Sequence, residues 1–154
     1  MKITLRPYHP TGVIAIIGGA KMTGFNNRGV EYVIAQIMAD PDLDVEIVHE
    51  YDDICKRCDR RIEDERGSVW GERHTCPSAQ DQKMIEKVNS DNQRFFSATG
   101  LSFGSVMKMR DLVGLLKEKI PPSERGGPEG PYAKGLAKLS EMYGERASSQ
   151  INTL

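Results

Sequence analysis

Val30, Val33, Ile34, Ile37 and Met38 recur at helical spacing between Gly29 and Ala39, with polar residues filling the other positions. That is the pattern of a helix with one buried face. Asp40-Pro41 closes it, because the residue before a proline is steered out of helical backbone, and Asn27 is placed to cap its start. Two more stripes follow later in the chain. The first runs from Gln82 to Ala98 through Met84, Ile85, Val88, Phe95 and Phe96, with Gly100 as its stop. The second runs from Ser105 to Lys119 through Val106, Met109, Leu112, Val113 and Leu116, and ends before Pro121-Pro122. Leu136, Leu139 and Tyr143 predict a last helix over 133–144, ahead of a polar, frayed end.

Strand signals are shorter. Lys2–Leu5 alternates and is rich in β-formers, and Val45–Val48 alternates weakly. Between them, Gly12-Val-Ile-Ala-Ile-Ile-Gly-Gly is apolar throughout, so periodicity leaves a buried strand and a short helix equally open. Strand, helix, strand in that order predicts an α+β fold with a small βαβ-like core, several helices and a long cysteine loop pinned by metal. Three regions follow: a metal-binding α+β domain over 1–120, a Gly/Pro-rich linker over 121–132, and a C-terminal helix with a polar tail over 133–154.

At 154 residues the chain is long enough for one domain with its own core. The formal net charge of −1 gives no bias toward nucleic acid or an anionic membrane. The longest apolar run, Val13–Ile17, is far shorter than a membrane span, and the N-terminus lacks the layout of a secretory signal. These features predict a soluble cytoplasmic protein. A protein partner stays open as a class, and no oligomeric state is indicated.

The chemistry gathers in Tyr51–Pro77, a polar stretch with no apolar period. All three cysteines lie there, as Cys55-Lys-Arg-Cys58 and His74-Thr-Cys76. An odd number of thiols argues against a closed disulfide framework. A loop of this length inside a domain needs something other than a core to pin it, and metal is the natural pin. Three thiolates supply three of the four ligands that tetrahedral zinc or a cluster iron usually takes. Lys56 and Arg57 are placed to offset their charge. For the fourth position His74, His9 and His49 compete with an exogenous ligand. Asp52-Asp53 reads either as a pair of acceptors that orient a metal-bound histidine or contact backbone amides, or as a charged turn or helix cap. Trp70, the single tryptophan, reads as an anchor of the insert or a lid over the centre. The glycine-rich run Gly18–Gly24 has neither the Walker nor the dinucleotide spacing and reads as an ordinary connection. No nucleophile–base pair or paired acid and base carboxylates can be placed, so no reaction or catalytic residue is assigned.

Leu5-Arg6-Pro7-Tyr8-His9, Gly24-Phe25 and Asp52-Asp53-Ile54-Cys55-x-x-Cys58 resemble the domain-of-unknown-function 1284 family, small bacterial and archaeal proteins described as iron–sulfur binders. Cys76, Lys87-Val88-x-x-Asp91 and Gly100-Leu101-x-x-Gly104 extend the resemblance over roughly residues 3–118. It implies a cluster-binding protein with a redox or electron-transfer role. In the family the first block carries two histidines and a cysteine. Tyr8 stands in place of the first histidine here, and Gly12 in place of the cysteine. The resemblance thus implies a reduced site of Cys55, Cys58 and Cys76 with His9 as the surviving ligand of that block. Such a Cys₃His set suits zinc as well as a cluster. The competing class of function is a metal-free regulatory or interaction module whose cysteines are vestigial.

Overall fold

The computed structural model describes residues 1–22, 27–49, 51–58 and 82–152, with side chains described as far as residue 144. The alternation at the N-terminus becomes β1, Lys2–Leu5, with Ile3 and Leu5 turned into the core. The ambiguous apolar block resolves as helix: α1 spans His9–Ile17 and buries Pro10, Thr11, Val13 and Ile14. Pro10 sits in its first turn, where a missing N–H is harmless. The second helix, α2 (Asn27–Ala39), buries Val30, Val33 and Ile37, the stripe expected of it. The chain then enters β2, Asp44–Ile47, which pairs parallel with β1 in the register Lys2 to Asp44 and Leu5 to Ile47. The βαβ-like core is therefore present, with two helices in its crossover.

The long second half begins with α3, Gln82–Thr99, which buries Ile85, Val88 and Phe95. Gly100 ends it in the left-handed region at φ +76°, where glycine carries no Cβ penalty. Beyond it the apolar spacing from Ser105 predicts helix, but the chain first makes a third strand, β3 (Val106–Lys108), and only then α4, Met109–Lys119. β3 joins β2 antiparallel, giving the sheet order β1-β2-β3. Val106 is 53% exposed at this edge, so its place in the helical stripe is coincidental. The pairing with β2, which spacing alone does not reveal, takes precedence over local helix propensity.

A 3-10 turn, Pro122–Glu124, and glycines at φ +83° (Gly126) and +78° (Gly127) carry the chain to α5, Pro131–Asn152. Tyr132, Leu136 and Leu139 of α5 enter the same apolar cluster as Ile3, Leu5, Ile14, Val33 and Leu112. The packing of α5 on α1 is close enough to require glycine within α5 and at the C-terminal cap of α1. A Cβ at Gly135 would lie 1.8 Å from the Ile14 carbonyl oxygen, and one at Gly18 1.8 Å from that of Pro131. The described residues thus form an α+β fold in which a small three-stranded sheet is covered by helices. No helix among them is long and apolar enough to cross a membrane.

Candidate metal centre

β1 ends at Leu5, and the chain turns through Arg6-Pro7-Tyr8 into α1. The His9 amide donates to the Arg6 carbonyl at 3.0 Å, which places the histidine in the first helical turn. The other side of the site comes from the segment after β2. Val48 continues the parallel pairing by donating to the Leu5 carbonyl at 3.0 Å. The chain then reaches the opposite edge of β1, since the Asp53 amide donates to the Thr4 carbonyl at 3.1 Å. Asp53 Oδ2 in turn accepts the Thr4 amide at 2.7 Å. Asp53 therefore closes part of an edge that would otherwise leave backbone groups unpaired.

Asp52 performs the deeper task. Its side chain is wholly buried, with Oδ2 accepting the Arg6 amide at 2.8 Å and Oδ1 accepting those of Ile54 and Cys55 at 3.0 and 2.8 Å. His9 Nδ1 makes a further close hydrogen bond to Oδ2. Burial by itself would raise the pKa of this carboxyl. His9 beside it and the amides of Cys55 and Arg6 outweigh burial and hold it below the ordinary carboxylate range. Asp52 thus accepts from both a histidine and backbone amides, and its bonds to the Ile54 and Cys55 amides also close the turn that follows, so the acceptor and turn readings of this residue coincide.

From Asp52 the chain makes a 3-10 turn, Cys55–Arg57, closed by the Cys58 amide donating to the Cys55 carbonyl at 3.1 Å. Cys55 is buried and Cys58 half-buried, both as free thiols. Burial and the neighbouring Asp52 push the Cys55 thiol above its usual value, against the pull of Arg6. The turn is seated on α2 at Gly29, where an added Cβ would meet the Ile54 carbonyl oxygen at 2.3 Å. Arg57 lies over the Tyr32 ring at 3.4 Å and donates to the Asp53 carbonyl at 3.0 Å. Lys56 reaches Asp53 at 3.8 Å.

Ligand atoms of His9, Asp52 and Cys55 lie within 4.8 Å of one another, the metal-competent group found among the described residues. Cys58 follows on the same turn but falls outside that grouping. His49 stands apart, with its ring 4.8 Å from that of Phe103. His74, Cys76 and Trp70 lie outside the described residues. Two contributors are not evident from the sequence pattern. Arg6 is 1% exposed and its positive charge acts on Cys55, yet a cation after a strand reads as a surface residue. Gly29 reads as one of many helix glycines, and only the closeness of Ile54 shows its purpose.

The Tyr8 ring meets that of His9 edge-on at 4.6 Å and also lines a hollow of about 430 Å³ with Thr11, Phe95 and residues of α3. Lys87 and Arg94, the cations on its α3 wall, both lie against Asp91, at 3.1 and 3.8 Å. No family model matches the chain, and comparison with curated proteins and with solved structures finds no match. The reading of the centre therefore rests on its residues.

Proposed function

We propose that this protein binds a transition metal, as a zinc ion or an iron–sulfur centre, through His9 and the Cys55 thiolate, with Cys58 and Cys76 completing the ligand set and His74 as the competing donor. One observation carries the reading. His9 and Cys55, far apart in sequence and on different elements, present ligand atoms to one another at the end of β1. An imidazole with sulfur ligands suits zinc and iron, and a bound cation favours the thiolate that burial opposes. Arg6 would offset part of the negative charge that such a centre accumulates. With zinc the role is structural: the ion ties the cysteine segment to β1 and α1. With a cluster, electron transfer or redox sensing becomes the function, and histidine ligation would raise the potential.

The test is metal and sulfide analysis of protein purified without oxygen, together with its absorption spectrum. One zinc per chain in colourless protein supports the structural centre, and iron with sulfide in brown protein supports the cluster. Protein that holds neither, and whose thermal stability a chelator leaves unchanged, would be a metal-free module.

A further inference from the structure

Asp52 lies close enough to His9 and Cys55 to pass for a third ligand. Its hydrogen bonds argue otherwise. A carboxylate offers about four lone-pair sites. Here Oδ1 takes the amides of Ile54 and Cys55, at 3.0 and 2.8 Å, while Oδ2 takes the Arg6 amide at 2.8 Å and His9 Nδ1. To bind a cation directly, Asp52 would have to release one of these donors, and the side chain is wholly buried where no water replaces it. With Nδ1 committed as the donor to Asp52, the one lone pair left on the His9 ring is on Nε2.

We infer that Asp52 is a positioning residue, which fixes His9 to bind metal through Nε2 and, having no free oxygen, makes the centre selective for a borderline or soft dication over a hard one. The inference rests on the metal-binding reading above and specifies it. Asp52 orients both sides of the centre at once. Its Oδ2 holds the turn that begins α1, where His9 sits, and its Oδ1 holds the amide of Cys55. Hard cations such as Mg²⁺, Ca²⁺ and Mn²⁺ want several oxygen ligands. The neighbouring Asp53 lies outside the group of His9, Asp52 and Cys55: its Oδ2 accepts the Thr4 amide and hydroxyl at 2.7 and 3.3 Å, and its Oδ1 faces the cations of Lys56 and Arg57 at 3.8 and 3.7 Å.

The experiment titrates the full-length, metal-free chain with Co²⁺ without oxygen, reading the thiolate-to-cobalt charge-transfer band, and with Mn²⁺ by electron paramagnetic resonance. Asp52→Asn retains an oxygen that can accept from amides, but it lacks the second carboxylate oxygen. The variant is expected to bind Co²⁺ about 10–100-fold more weakly, with the sulfur band still present, while neither protein takes up Mn²⁺. Nitrogen-15 NMR of the zinc-loaded wild type, which needs no variant to fold, should show His9 protonated at Nδ1 and metal-bound at Nε2. Metal on Nδ1, equal Co²⁺ affinity in a folded variant, or Mn²⁺ uptake overturns the inference while leaving metal binding intact. A wild type that takes up neither Co²⁺ nor Zn²⁺ overturns this inference, and one that also holds no iron–sulfur centre as purified sinks the metal-binding reading with it.

Discussion

At Gly29 two opposed effects can be compared directly. Alanine in a helix interior is ordinarily better than glycine by about 1 kcal/mol. Here the added methyl would fall 2.3 Å from the Ile54 carbonyl oxygen and 2.6 Å from its Cα, both backbone atoms that cannot swing away. Forcing extra volume into a packed site costs roughly 1–3 kcal/mol, so Gly29→Ala should destabilise in urea unfolding. It should also weaken metal binding, because the residue displaced adjoins Cys55. A second residue-level effect concerns Tyr132, whose hydroxyl donates to the Ile120 carbonyl at 2.8 Å. Burial raises its pKa from the ordinary 10.0 to about 12, with Arg125 acting in the opposite direction. Because the folded state holds the proton more tightly than the unfolded chain, this contribution is complete below pH 10.0 and is lost as pH rises toward about 12. Unfolding free energies measured across that interval should fall more steeply for the wild type than for Tyr132→Phe.

Among the elements, the amount legible in the sequence follows how one-sided each burial is. α2 has an apolar face and a polar face, and its stripe is the one the core uses through Val30, Val33 and Ile37. α1 is apolar nearly all round because α5 covers it on one side and the sheet core lies on the other, so no period marks it. The one local sign of helix is Pro10, a residue suited to a first turn. β3 is hidden for a different reason: three residues with an exposed Val106 leave too little alternation to read. Helix crossing adds a contrast within one residue type. In α5, Gly135→Ala places a methyl 1.8 Å from the Ile14 carbonyl oxygen. It should cost roughly 1–3 kcal/mol by driving the helices apart. In α4, a Cβ at Gly114 meets nothing within 4 Å. Gly114→Ala should therefore stabilise by up to about 1 kcal/mol through helix propensity. Chemical denaturation of the two variants should therefore give stability changes of opposite sign.

For the molecule as a whole, the sheet, the helices and the candidate centre depend on one another at the end of β1. Asp52 and Asp53 bind the backbone of Thr4 and Arg6 and so join the cysteine segment to the sheet edge. Cys55 and Cys58 stand out in the sequence because of their spacing, and Asp52-Asp53 because it adjoins them. The meeting of His9 with Cys55 does not, since it depends on β1 and β2 pairing parallel and on the chain crossing to the far edge of β1. The central claim is that His9 and Cys55 hold one metal together. Its most direct test is metal content per chain, measured for the wild type, His9→Ala and Cys55→Ser purified in parallel without oxygen, with folding checked by circular dichroism. The account predicts a stoichiometric metal in the wild type and a sharp loss in both folded variants. Wild-type protein without metal, or unchanged content in either variant, would contradict it.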